Sequence, residues 1–177
     1  PGKYFLDHNA KKLRAYHFTA NEFNTDTPAW LGENTVVISA SLGGTTPETV
    51  RANAVAKEAG ATVVSVTHAA GSALTKDADH VIVHGFEANY AAKLEKMGYV
   101  MALAVELMQQ TEGCPIYEQM LAGFDAIFEL AENSANAARK AAKEFAVKYA
   151  DAPVVYVMSS GASAEVAYST SICLMME

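Results

Sequence analysis

Two apolar runs separated by a glycine-rich loop and a helix constrain the fold most strongly. Residues 35–39 (Thr-Val-Val-Ile-Ser) and 61–67 (Ala-Thr-Val-Val-Ser-Val-Thr) are rich in β-branched side chains. Such runs are typical of strands buried on both faces of a parallel sheet. Between them, Pro47 predicts the first position of a helix, because its missing N–H has no partner there, and Gly60 predicts the end. We therefore expect a strand–helix–strand unit with a right-handed crossover.

The same alternation of strands and helices continues on both sides of this unit. We expect a loop or short helix at 71–77, a third strand at 80–84, helices at 89–110 and 117–149, and a further strand at 153–158. The beginning of the chain predicts a helix over 4–13 and a short strand over 14–19, and a helix follows from Glu165 onward. Strands that alternate with helices indicate the α/β class with a parallel sheet.

The strand–loop–helix order occurs twice, around residues 35–60 and again at 153–177. We expect a first domain at 1–112 that lacks its first strand, a helical linker at 113–152, and the start of a second, related domain at 153–177. No N-cap residue precedes the first helix, and no Gly, Pro or Asn ends the last one. The sequence therefore predicts a segment of a longer protein.

Composition and charge argue against several classes of function. Hydrophobic residues make up 51% and charged residues 19% of the chain, which allows a substantial core. The net charge of −7 repels phosphate backbones and argues against nucleic-acid binding. No run of about 18 apolar residues indicates a membrane span, and we expect no targeting segment, because charged residues interrupt the early apolar runs. The two distant cysteines, Cys114 and Cys173, lack a metal-binding spacing and suggest a reducing cytoplasm.

The loop at residues 41–49, Ser-Leu-Gly-Gly-Thr-Thr-Pro-Glu-Thr, carries the clearest signal for chemistry. It follows a buried strand and precedes a helix, and α/β sheets bind ligands at that edge. Free amides and the positive helix end favour an anion, and Gly43 and Gly44 let the backbone approach it closely. The loop has no Lys, so it is not a P-loop, and its donors suit a sugar phosphate monoester. A plain turn with Thr46 as the helix N-cap is the equally open alternative.

The wider segment 36–49 resembles the strand–loop–helix of SIS (sugar isomerase) domains, whose pattern is Ser-x-x-Gly-x-Thr-x-Glu/Asp-Thr. Three further segments, at 31–34, 105–113 and 171–177, are similar to bacterial fructosamine 6-phosphate deglycases. Those enzymes have two SIS domains and act on fructoselysine or fructose-aspartate 6-phosphate. The resemblance implies a flavodoxin-like, three-layer α/β fold and the start of a second SIS domain.

The resemblance also implies roles for particular residues. The phosphate would be held by Ser41, Gly43, Gly44 and Thr46. Leu42 and Gly43 stand where relatives often place polar or basic side chains, so some phosphate contacts would come from the backbone alone. Glu177, in a Met-Glu context, would act in acid–base catalysis at C1 of the substrate. The family's catalytic histidine motif has no counterpart in this sequence.

Histidines and a second loop are weaker candidates. His68 follows the second buried strand and is a possible substrate contact, although an ordinary loop histidine explains it as well. His80 and His84 flank a strand and are predicted to lie on the surface. Residues 159–163, Ser-Ser-Gly-Ala-Ser, would form the matching loop of the second domain, or a plain turn.

The function that the resemblance implies is hydrolysis of a phosphorylated Amadori-type substrate to glucose 6-phosphate and a free amino acid or amine. That chemistry needs no metal and no redox cofactor. A homodimer or higher homo-oligomer is expected, without nucleic-acid or membrane partners. Two alternatives stay open. One is an aldose–ketose phosphosugar isomerase or a glucosamine 6-phosphate synthase, although 165–177 lacks the lysine that the synthase needs. The other is a non-catalytic, sugar-phosphate-sensing SIS module, against which the acidic charge counts.

Overall fold

The computed structural model describes residues 1–85 and 90–176, apart from the side chains of residues 90–93, 165, 173 and 174. The chain divides into two compact units, one of residues 15–103 and one that joins residues 1–14 to the chain from 104 onward. The domain boundaries expected from the sequence stay a prediction. Among the described helices, none is both long enough and apolar enough to cross a membrane.

The helices and strands follow the predicted alternation. The strands are β1 (Val36–Ala40), β2 (Thr62–Thr67) and β3 (His80–Val83). The α-helices are α1 (Gly2–Asn9), α2 (Ala20–Thr25), α3 (Pro47–Glu58), α4 (Tyr90–Glu112), α5 (Tyr117–Tyr149) and α6 (Ala164–Thr170). Short 3₁₀ turns lie at Ala73–Thr75 and Gly161–Ser163, and a π-helical turn lies at Ser171–Met175.

The unit of residues 15–103 contains a parallel sheet with the order β1-β2-β3. Val36 pairs with Thr62, and Val64 pairs with His80, so the carboxyl ends of the three strands meet at one edge. This arrangement confirms the α/β class with a parallel sheet flanked by helices. Only the central strand β2 is buried along nearly its whole length, because β1 and β3 each have one open side in the described chain.

Small side chains let α3 pack closely on the sheet. The core there consists of Phe23, Ala52, Ala56, Ala61 and Val63. Helix α2 supplies Phe23 and begins with a capping box, in which Thr19 and Glu22 bond each other's backbone amides. The core therefore holds the middle and end of α3 against the sheet.

In the other unit, two carboxylates on the later part of α4 tie chain segments together. The carboxylate of Glu112 accepts hydrogen bonds from the amides of Lys11, Lys12 and Leu13, at 2.9–3.2 Å. The hydroxyl of Tyr117 donates to Glu106 at 2.7 Å, which lowers the pKa of Glu106 and raises that of Tyr117. These bonds join the amino-terminal segment and α5 to α4.

Three local predictions are wrong. The expected strand at 14–19 does not form, because no described strand pairs with these residues, and Tyr16 stacks on Trp30 with ring centroids 4.5 Å apart. The first helix ends at Asn9 rather than at residue 13, where the backbone turns to meet Glu112. Residues 153–158 form no strand, because no strand among the described residues pairs with them, and their apolar side chains remain exposed.

Candidate functional site

The glycine-rich loop lies at the carboxyl edge of the sheet, between β1 and α3. The amide of Ser41 donates to the carbonyl of Val66 at 3.1 Å, which extends the pairing of β1 with β2 by one residue. The loop then turns through Gly44, whose φ of 63° is a conformation that glycine adopts without strain. Ser41 precedes this turn and Thr46 follows it, and their hydroxyls lie 3.1 Å apart. The structure thus brings together the predicted residues Ser41, Gly43, Gly44 and Thr46.

The carbonyl of Leu42 is anchored to the end of β2. It accepts a hydrogen bond from the amide of His68 and another from the hydroxyl of Thr67, both at 3.0 Å. A trans peptide is planar, with its C=O and N–H pointing in opposite directions, and the described chain has no cis peptide. The N–H of Gly43 therefore points away from β2.

The carbonyl of Gly44 is anchored in the same way. It accepts a hydrogen bond from the amide of Leu74 at 2.9 Å, so the N–H of Thr45 points away from the turn at residues 72–75. No described residue accepts a hydrogen bond from the amides of Gly43 or Thr45. Gly43 and Thr45 are also exposed. The loop therefore has two oriented and unused amide donors.

The amino end of α3 is also without a side-chain cap. Thr46 occupies the N-cap position and Pro47 the first helical position, as the sequence predicts, but the hydroxyl of Thr46 makes no capping bond. That hydroxyl faces Ser41 instead. A helix of 12 residues begins here with free N–H groups, and its dipole favours negative charge. Glu48 in the first turn supplies the only nearby charge of that sign on the helix itself.

Beneath the loop, Gly44 leaves no room for a side chain. A Cβ at this position would lie 2.0 Å from Oγ of Ser72 and 3.1 Å from Oγ1 of Thr67. The Oγ of Ser72 is itself buried, without a hydrogen-bond partner among the described residues. Because Gly44, Thr67 and Ser72 approach so closely, they fix the distance between the loop and β2.

A buried polar network supports the same region from inside the fold. The amide group of Asn53 on α3 donates to Oγ of Ser65 at 2.8 Å and to the carbonyl of Leu74 at 2.9 Å. Ser65 also lies 3.1 Å from Ser39 of β1 through their hydroxyls. The network joins α3, β1, β2 and the turn that anchors Gly44.

The two histidines at the same edge differ in exposure. His68 is exposed, and its Nδ1 donates to the carbonyl of His84 at 3.1 Å, next to the backbone that holds Leu42. His84 is 4% exposed, so the prediction that it lies on the surface is wrong. Its amide bonds Thr67 and continues the sheet, which places its ring on the same face as the partly buried Ile82. The rings of His68 and His84 are 6.1 Å apart.

The predicted catalytic residue, Glu177, lies outside the described residues. The second loop, 159–163, is exposed and contains Gly161 at a φ of 62°. Within the described chain, no cluster of three or more His, Cys, Asp or Glu residues could hold a metal ion. Sequence reasoning missed Thr67 and Ser72, although the position of Thr67 at the end of a buried strand beside the loop was a usable signal.

Comparison with known proteins gives consistent matches. A family model for the SIS domain matches residues 3–105. The fructosamine deglycase FrlB of Bacillus subtilis strain 168 is 33% identical over 177 residues, which make up 100% of this chain and 54% of that protein. The crystal structure of a candidate phosphosugar isomerase from Salmonella typhimurium LT2 is 36% identical, with a TM-score of 0.94. It matches over 99% of this chain and 53% of its own length.

A second crystal structure, of a candidate phosphosugar isomerase from Bacillus subtilis, is 34% identical with a TM-score of 0.89. It matches over 99% of this chain and 54% of its own length. The chain therefore spans about half the length of these relatives.

Proposed function

Since the chain belongs to the SIS domain family, we propose that residues 41–46 hold the phosphate group of a sugar phosphate. The observation that carries this proposal is the orientation of the Gly43 and Thr45 amides. The carbonyls of the same two peptides are anchored to the end of β2 and to the turn at 72–75, so both N–H groups point away from the protein interior. Two amides, two hydroxyls and a helix amino end match the oxygens of a phosphate monoester.

The donor set also indicates which phosphate compounds fit. The loop from 41 to 49 contains no Lys or Arg, and Glu48 adds a negative charge at the helix start. A triphosphate carries several negative charges, and the loop has no positively charged side chain to balance them. A single terminal phosphate on a small sugar is therefore the better ligand.

We further propose that the protein takes part in the removal of an amine from a fructosamine 6-phosphate. The support is the 33% identity to a fructosamine deglycase along the whole chain, which covers 54% of that enzyme. In this reaction a base moves a proton from C1 to C2 of the ketoamine, and water then hydrolyses the C1 imine. The products are glucose 6-phosphate and the free amine, and Glu177 is our candidate for the proton-transferring group.

A phosphosugar isomerase is the second candidate, because the two solved relatives at 34–36% identity are described as such. Both reactions move a proton between C1 and C2 of a sugar held by its phosphate. They differ in the substituent at C1, which is an amine in one case and a hydroxyl in the other.

The test is amine release by the complete gene product from a panel of fructosamine 6-phosphates, followed by mass spectrometry. The proposal predicts release of one amine together with an equal amount of glucose 6-phosphate. Interconversion of glucose and fructose 6-phosphates without amine release would favour the isomerase. Absence of both reactions, with glucose 6-phosphate still bound, would leave a sensing module.

A further inference from the structure

The phosphate loop depends on a residue that lies outside it. Two neighbouring residues at the end of β2 hold the carbonyl of Leu42, namely Thr67 through its hydroxyl and His68 through its amide. The backbone bond is available to any residue except proline at position 68. The hydroxyl bond requires Ser or Thr at position 67.

The hydroxyl of Thr67 both donates and accepts a hydrogen bond, and it is closed off from water. It donates to Leu42 at 3.0 Å and accepts a hydrogen bond from the amide of Ala69 at 3.2 Å. Thr67 is 0% exposed. It therefore cannot contact a ligand directly, and any effect that it has on binding must pass through the backbone of the loop.

The orientation of one peptide links Thr67 to the ligand. Because the Leu42–Gly43 peptide is planar, the bond from Thr67 to its carbonyl sets the direction of the Gly43 N–H. Gly43 has no side chain and Leu42 has an apolar one, so this part of the loop can offer an anion only its backbone. Rotation of this peptide would turn the donor away from the phosphate.

We propose that Thr67 is a positioning residue for phosphate binding, an inference that rests on the proposed function of the loop. The geometry combines two roles in one side chain. The hydroxyl orients the Leu42–Gly43 peptide, and Oγ1 also lies 3.1 Å from the place where a Cβ would stand on Gly44, so it helps to exclude a larger residue there.

The test compares Thr67→Val with Thr67→Ser. Valine keeps the shape of threonine and removes the hydroxyl, whereas serine keeps the hydroxyl. We expect Thr67→Val to raise the Kd for glucose 6-phosphate and for inorganic phosphate by the same factor, about tenfold, which equals about 1.4 kcal/mol. Thr67→Ser should stay within about twofold of the wild type, since it retains the hydrogen bond. Calorimetric titration measures each Kd.

A matched control separates positioning from general stability. Thr62→Val makes the same chemical change at the amino end of the same strand, away from the loop, and it should leave both Kd values unchanged. Thermal unfolding without ligand is measured for every variant. If Thr67→Val does not fold, Thr67→Cys carries the same expectation, because a thiol is a weak donor.

The outcomes distinguish this inference from the proposed function. Wild-type protein that binds neither probe would overturn both. If the wild type binds and Thr67→Val has the same Kd, the positioning role alone is overturned. The same holds if Thr67→Ser loses as much affinity as Thr67→Val. A tenfold loss of affinity in Thr67→Val, with affinity close to the wild type in Thr67→Ser, supports it.

Discussion

The hydroxyl of Thr46 lies 3.1 Å from the hydroxyl of Ser41, across the mouth of the glycine-rich loop. A threonine at the N-cap of a helix ordinarily bonds the amides of the first turn, but Thr46 makes no such bond. In the plain-turn alternative Thr46 is also the N-cap residue, and it does occupy that position, without the capping bond. The hydroxyl is instead positioned beside the second hydroxyl of the loop, where both can turn toward a bound anion.

Replacing Thr46 with Val should weaken phosphate binding with little cost in stability. The variant loses one hydroxyl donor, so we expect the Kd for glucose 6-phosphate to rise about five- to tenfold. Because Thr46 does not cap α3, the free energy of unfolding should change by less than the ~1 kcal/mol of a lost cap. Calorimetry and urea unfolding measure the two quantities. An unchanged Kd would remove Thr46 from the site.

Gly44→Ala should be far more damaging than the same change at Gly71. Both glycines have positive φ, 63° and 74°, so both variants carry the backbone strain of about 1 kcal/mol. At Gly44 the new Cβ would lie 2.0 Å from Oγ of Ser72. At Gly71 no atom lies within 4 Å of the new Cβ. We expect urea unfolding to show that Gly44→Ala lowers the free energy of unfolding by about 1–3 kcal/mol more than Gly71→Ala does.

Removing the side chain of Ser72 provides the control for that clash. In the Gly44→Ala background, Ser72→Gly should recover part of the lost stability, because Cβ and Oγ of Ser72 are the two nearest atoms. Equal destabilisation by Gly44→Ala and Gly71→Ala would contradict the close approach that we describe.

Glu112 should make stability depend on pH. Desolvation acts to raise the pKa of Glu112, but the bonds from the amides of Lys11, Lys12 and Leu13 outweigh it and lower the pKa overall. A carboxyl with a lowered folded-state pKa contributes stability above its ordinary pKa of 4.5, and this stability is lost as pH falls through the folded value.

Glu112→Gln should therefore lower the melting temperature at pH 7 and have a smaller effect near pH 3. Glutamine keeps the size of the side chain but removes the charge that the three amides stabilise. Glu129→Gln on the exposed middle of α5 is a suitable control, with little expected effect on the melting temperature. A pH-independent difference for Glu112→Gln would argue against the charged contact.

Glu177→Gln, made in the complete gene product, should separate catalysis from binding. The amide cannot accept and return a proton, so turnover of the fructosamine 6-phosphate should fall at least about 100-fold. The Kd for glucose 6-phosphate should stay close to that of the wild type, because the glycine-rich loop is unaltered. Assays of amine release and calorimetry measure both. Retention of turnover would exclude Glu177 as the catalytic group.

The elements that are defined by local pattern could be predicted from the sequence. The β-branched runs, Pro47 and Gly60 identify β1, α3 and β2 to within one residue of their observed ends. Their order places the loop at the edge of a parallel sheet, and the resemblance identified the residues that the structure brings together there. These features depend on neighbouring residues in the chain and therefore show in its pattern.

Features that depend on distant partners could not be predicted in the same way. The segment 153–158 has a strand pattern, but a strand forms only when another strand pairs with it. Beyond the end of α1 at Asn9, the amides of residues 11–13 bond Glu112, about 100 residues later in the chain. The position of Thr67 at the end of a buried strand could be read from the sequence, but its bond to the carbonyl of Leu42 depends on how two distant loops meet.

The most direct test of the account is a crystal structure of the protein with glucose 6-phosphate. We predict that phosphate oxygens lie about 3 Å from the amide nitrogens of Gly43 and Thr45 and within hydrogen-bond reach of the Ser41 and Thr46 hydroxyls. The Leu42 and Gly44 carbonyls should keep their bonds to Thr67, His68 and Leu74. A phosphate bound elsewhere, or at the loop with those amides turned away, would contradict it.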